Sequence, residues 1–156
     1  MRVFVAGATG VIGRGLVDLL VADGHEVTGM TRSADRAELL RTRGVQAVLC
    51  DAFDADALRE AVVAAAPEAV IHQLTDIPQR LDPRKYAKQL AATSRLRDEG
   101  TRNLIAAAKA AGADRILAQS IAFAYAPTGD WVKDEEAPLA LAAPAPMSSV
   151  FRAVSE

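Results

Sequence analysis

The chain has 156 residues, of which 51% are hydrophobic and 24% charged, with a formal net charge of -2. This length and composition suffice for one domain with a full core, and the scatter of Arg and Lys through helical stretches argues against a nucleic-acid partner. No apolar run approaches the ~20 residues that span a bilayer, and a strand that starts at Arg2 leaves no room for a cleavable signal, so a cytoplasmic location without a membrane partner is expected.

The first element is an apolar strand, Val3-Phe4-Val5-Ala6, which runs straight into Gly7-Ala8-Thr9-Gly10-Val11-Ile12-Gly13. A strand, a glycine turn and a helix in this order predict a dinucleotide site. Gly7 permits the tight turn, Gly10 lets the backbone approach a pyrophosphate, and Gly13 lets the helix pack closely on its strand. Gly7, Ala8, Thr9, Gly10, Val11, Ile12 and Gly13 are therefore expected to contact the cofactor. The helix N-terminus and its dipole stabilise the phosphates without a lysine. On that helix Val11, Leu16, Leu19 and Leu20 are predicted to share the buried face, and Asp23-Gly24-His25 ends it.

The second strand runs from Glu26 to Met30 and continues Thr31-Arg32-Ser33. Dinucleotide sites often carry an acidic residue here, for the adenine ribose hydroxyls. Arg32 stands in its place and suits a ribose 2′-phosphate, which favours NADP, with NAD as the alternative; the competing reading is a solvated loop arginine. A third strand, Ala47 to Cys50, ends in Asp51-Ala52-Phe53-Asp54. Asp54 is expected to cap the helix Ala55 to Ala66, while Asp51 either accepts from the adenine amino group or is merely solvated. Cys50, the sole cysteine, reads as a small core residue.

The fourth strand, Ala69 to His72, leads into Gln73-Leu74-Thr75. His72 is expected to be packed and hydrogen-bonded rather than catalytic. A long helix from about Pro83 to Ala111 follows, with Arg80, Arg84, Lys85, Lys88, Arg95 and Arg97 read as a solvated face. A fifth strand runs from Arg115 to Gln119, and then a proline- and alanine-rich loop from Ala126 to Pro146. That loop carries an acidic run, Asp134-Glu135-Glu136, and Trp131, which is expected to anchor it to the core rather than to act as a lid. Five strands linked by right-handed helical crossovers predict a doubly wound α/β fold with a parallel sheet of order 3-2-1-4-5. Its ligand lies at the carboxyl ends of the strands, which adds Ala52, Leu74 and Thr75 to the cofactor-binding set. No metal site is expected.

Several stretches together resemble the extended short-chain dehydrogenase/reductase superfamily, the NAD-dependent epimerase/dehydratase group. They are the glycine turn, Asp51, Val70-Ile71-His72-Gln73-Leu74, and Glu99-Gly100-Thr101-Arg102-Asn103-Leu104-Ile105-Ala106-Ala107-Ala108 followed by Arg115-Ile116-Leu117-Ala118-Gln119-Ser120 and Tyr125. The resemblance covers essentially the whole chain and implies a Rossmann fold. It further implies hydride transfer between NAD(P) and a carbonyl or alcohol of a small-molecule substrate, and dimerisation through the long helix and the helix after it. It also implies that the chain holds roughly the first half of the family's length, the substrate lobe lying beyond Glu156. In that family a YxxxK pair does the acid–base work and a serine or threonine orients the substrate oxygen. Here Tyr86 is followed four places on by Leu90 and Tyr125 by Gly129, so no YxxxK occurs. Aligning Pro144 and Glu156 with the family's pattern puts Ser148 in the tyrosine slot and Arg152 in the lysine slot, while Ile121 takes the usual serine position and Ser120 precedes it. Ser120, Ser148 and Arg152 are thus the catalytic candidates. A non-catalytic NADP-binding sensor or regulatory module is the alternative function.

Overall fold

The computed structural model describes residues 1–78, 80, 82–121 and 124–141. Its strands are β1 (Arg2–Ala6), β2 (Glu26–Thr31), β3 (Gln46–Leu49), β4 (Ala69–His72) and β5 (Arg115–Ala118). The helices are α1 (Val11–Ala22), α2 (Ala34–Arg41), α3 (Ala55–Ala65), α4 (Tyr86–Arg95) and α5 (Thr101–Ala110). Two compact units are formed, one by Met1–Thr75 with Glu99–Gln119 and the other by Asp76–Asp98 with Ser120–Glu156.

All five strands belong to the first unit and pair in parallel in the order β3-β2-β1-β4-β5, as the alternation of strands and helices predicts. The central strand β1 is in register with β4 through Phe4↔Val70, Val5↔Ile71 and Ala6↔His72. Strand residues alternate between faces, which divides the core in two. Val3 and Val5 join Ala8, Val17 of α1, Val27, Leu40 of α2 and Val45 in one buried cluster. Phe4 and Val70 turn to the other face, together with His72, which bonds to α5. There α3 and α5 pack on each other, and Leu58, Val62, Leu104 and Ala108 are all fully or almost fully buried. Full burial of Phe4 contributes about 1.5–3 kcal/mol relative to an exposed ring.

Three expectations are corrected. Val11 and Leu19 are 88% and 67% exposed, and the buried residues of α1 are Gly13 and Val17. At its start the helix lies so close to the Gly7 and Ala8 backbone of the turn that a glycine, not an apolar side chain, faces inward there. The long helix is divided into a 3-10 turn at Pro83–Lys85, α4, a π turn at Leu96–Gly100, and α5. Gly100, a poor helix former, closes the π turn, whose added residue rotates the helical stripe that follows. Arg97, on that turn, is half-buried, and desolvation pushes its guanidinium pKa down.

In the second unit Tyr125 and Leu139 form an antiparallel bridge, closed by Ala126 N–H to Pro138 O at 2.7 Å and Ala140 N–H to Ala124 O at 2.7 Å. Trp131 lies between these two segments and is fully exposed at 101%. Backbone bonds close this loop, so the indole is not needed as its anchor.

Candidate dinucleotide-binding site

The glycine turn is built around one carbonyl. Gly7 has φ +90°, a left-handed conformation that glycine adopts without strain, and a Cβ on it would stand 2.5 Å from the carbonyl oxygen of Gln73. The Gly10 N–H donates to Gly7 O at 3.0 Å and closes the turn. A Cβ on Gly13 would lie 2.1 Å from the same oxygen and 2.9 Å from the Ala8 carbonyl carbon. Gly13 is therefore required by the loop's own backbone, a closer constraint than packing on the strand. Gly10 is the N-cap of α1, yet no side chain caps it and the first turn carries no acidic residue. The N–H groups of that turn and the positive end of the helix dipole form an anion cradle. A pyrophosphate fits this cradle.

Around it the expected residues fall into distinct places. Ala8 is fully buried and belongs to the core cluster, Thr9 is half-buried, and Val11 and Ile12 are exposed at the helix start. Arg32 directly follows the last residue of β2 and is exposed. Among the described residues it makes no ion pair. Asp51 is half-buried, and its Oδ1 accepts from Phe53 N–H at 3.0 Å, which leaves its second oxygen outside that turn. Ala52 is buried, and its carbonyl accepts from Asn103 Nδ2 at 2.9 Å. Leu74 is half-buried and donates its N–H to His72 Nδ1 at 3.2 Å; Thr75 is exposed. Ser120 is exposed and belongs to the second unit, while Ser148 and Arg152 lie outside the described residues.

Other expectations hold. Asp54 Oδ1 accepts from Ala57 N–H at 3.0 Å, the cap its position predicts. His72 is packed and hydrogen-bonded. Cys50 is buried, and its thiol pKa is raised, first by desolvation and then by Asp54 and Asp51. Sequence reasoning passed over Asn103 and Thr101 as individual residues. Both lie in a stretch quoted for its family likeness, but only the fold reveals that Asn103 ties down the loop after β3 and Thr101 the ring at the end of β4.

A doubly wound parallel sheet with an uncapped glycine turn after β1 defines a dinucleotide-binding α/β protein. A family model described as NAD(P)H-binding matches residues 7–153. The chain belongs to this NAD(P)H-binding family. It is 51% identical over 157 residues to a 3-diazoavenalumate denitrifying reductase of Streptomyces, an alignment that covers 100% of this chain and 50% of that protein. Among solved structures, the Bordetella bronchiseptica enzyme WbmG in complex with NAD and UDP superposes with a TM-score of 0.73 at 24% identity, over 99% of this chain and 47% of that one. The Thermus thermophilus UDP-glucose 4-epimerase complex with NAD gives 0.74 at 23% identity, over 99% and 48%. These two likenesses show the fold. The chain spans about half the length of the relatives it matches.

Proposed function

We propose that the chain is the cofactor-binding half of an NADP-dependent reductase. The observation that supports this most is the 51% identity, along the whole chain, to a denitrifying reductase. In this reading Gly7, Gly10 and Gly13 shape the cradle, and the first-turn N–H groups of α1 donate to the pyrophosphate. Arg32 grips a ribose 2′-phosphate with its planar fork, and Asp51 accepts from the adenine amino group. Ala52, Leu74 and Thr75 line the same carboxyl-end surface.

The relative's name, a diazo compound and a carboxylate, supports a diazo-bearing organic acid as the substrate class, which this reading takes in its aryl diazonium form. A bound reduced nicotinamide would supply hydride and be oxidised in turn; at the carbon that bears the dinitrogen a C–H bond would form as the C–N bond breaks and N2 leaves with the bonding pair. No proton is consumed. That stoichiometry suits a sequence with Ser148 and Arg152 where the family carries tyrosine and lysine, because no oxyanion has to be protonated. Arg152 keeps a guanidinium in the lysine slot for a ribose hydroxyl or a substrate carboxylate. A non-catalytic sensor is not favoured, since the relative is named a reductase.

The test begins with calorimetric titration of the chain by NADP and, in parallel, NAD. The chain is then incubated with NADPH and an aromatic diazonium carboxylate, and N2 release and cofactor oxidation are followed above the protein-free rate. NADP bound more tightly than NAD, with N2 and oxidised cofactor formed one for one, is the expected result. Binding without N2 release leaves the cofactor reading standing, and the same assay on a protein of the relative's full length then decides between the diazo substrate and a carbonyl or alcohol, for which Ser120 is the orienting candidate. No binding of either dinucleotide removes the reading.

A further inference from the structure

Gln73 stands one residue beyond β4. Its N–H donates to Ala6 O at 2.8 Å, which extends the strand register by a step. Its carbonyl oxygen lies 2.5 Å from where a Cβ on Gly7 would stand. Gln73 therefore lines the gap between the ends of β1 and β4. In the order β3-β2-β1-β4-β5 this gap is the switch point, where crossovers leave to opposite faces and open α/β sheets hold their ligands. Along the strand Gln73 shares a face with Ile71, and Ile71 packs against the cluster that contains Val17 of α1. The glutamine thus belongs to the α1 side of the sheet, level with the glycine turn.

The Oε1 atom of Gln73 is buried and accepts no hydrogen bond among the described residues. An acceptor stripped of water and left unpaired is costly, and a carbon chain of equal length would fill the place without that cost. The terminal amide torsion of glutamine is soft, so the oxygen can turn toward a donor brought into the crevice. We infer that Gln73 is a cofactor-contacting residue whose Oε1 accepts a hydrogen bond from the dinucleotide at the switch point. This inference rests on the cofactor reading above. A pyrophosphate offers no donor, so the donor is a neutral one, a ribose hydroxyl or the carboxamide N–H of the nicotinamide.

The experiment compares the chain with its Gln73→Met variant, which keeps the length of the side chain and removes the acceptor; Gln73→Leu replaces it if the methionine variant does not fold. Each is titrated with NADP and with 2′-phospho-ADP-ribose, which lacks the nicotinamide, and each is melted without ligand. The unliganded Tm is expected not to fall, because an unpaired buried acceptor has gone, while affinity for NADP drops about five- to tenfold. A loss shared by the truncated ligand assigns the donor to a ribose hydroxyl, and a loss confined to NADP assigns it to the carboxamide. Unchanged NADP affinity in a folded variant overturns the inference, as does a lower unliganded Tm, which would mean that the oxygen is already satisfied. If the unsubstituted chain binds neither ligand, the cofactor reading has failed and this inference with it.

Discussion

The imidazole of His72, at the carboxyl end of β4, and the hydroxyl of Thr101, at the start of α5, lie 2.9 Å apart through Nε2. Because Nδ1 accepts the Leu74 N–H, Nε2 carries the ring proton and donates it to Thr101. A single neutral ring, 6% exposed, therefore joins β4, the segment after it and α5. It has no nitrogen left over for acid–base work.

Thr101→Val keeps the shape of the side chain but leaves the buried Nε2–H without this partner. The expected cost is about 1–3 kcal/mol, measured as a lower urea midpoint with an unchanged slope. A midpoint equal to that of the unsubstituted chain would show that water reaches the ring.

Two glycines of α1 make a matched pair. A Cβ at Gly13 meets backbone at 2.1 Å, which cannot move aside as a side-chain tip can, whereas a Cβ at Gly15 meets nothing within 4 Å. Gly13→Ala should therefore destabilise by about 3 kcal/mol or more, as overpacking does, and remove dinucleotide binding. Gly15→Ala should stabilise by about 0.8–1 kcal/mol through helix propensity alone. Denaturant melts of both variants decide the matter, and similar effects at the two sites would contradict this geometry of the turn.

Arg32 bears on cofactor choice. If its exposed guanidinium grips a 2′-phosphate, Arg32→Asp should weaken NADP binding about ten- to a hundredfold, the range of a charge-assisted hydrogen bond and its loss, while sparing or improving NAD. Parallel calorimetric titrations read this directly. Equal losses for the two cofactors would sink the 2′-phosphate assignment.

Much of this arrangement was legible in the sequence because it depends on local chemistry. The order β3-β2-β1-β4-β5 follows from strands that alternate with helices and the handedness of their crossovers, and the role of Asp54 follows from an aspartate set before an alanine-rich run. What could not be read depends on long-range packing. Periodicity placed Val11 and Leu19 inside, yet only the approach of α1 to Gly7 O decides which side of that helix is buried. The division of the long helix at Gly100, the exposure of Trp131 and the link from Asn103 to Ala52 O likewise follow from partners distant in sequence or from backbone pairing.

Cys50 should resist thiol reagents. Burial, followed by the nearby Asp54 and Asp51, raises its pKa, so its thiolate fraction near neutrality lies below that of a free cysteine. Alkylation by iodoacetamide is expected to be much slower than for free cysteine until denaturant is added. Rapid labelling of the folded chain would mean that the end of β3 opens readily.

Glu68 ties acid stability to the amino-terminal edge of the sheet. Its Oε2 accepts the Arg2 backbone N–H at 2.7 Å, and that bond, more than the neighbouring positive charges, holds its carboxyl pKa below the ordinary value. The sign follows from linkage: a carboxylate whose pKa is lower folded than unfolded binds more protons in the unfolded chain, so stability rises with pH through that interval. Its contribution is fully present above the unfolded pKa and is lost as pH falls through the folded one. Glu68→Gln keeps an acceptor but removes the charge, so the two chains should differ most near neutrality and converge as both are acidified. Urea midpoints taken from neutral pH down into the acid range test this, and a gap that stays constant through that range would show that the Arg2 contact does not depend on ionisation.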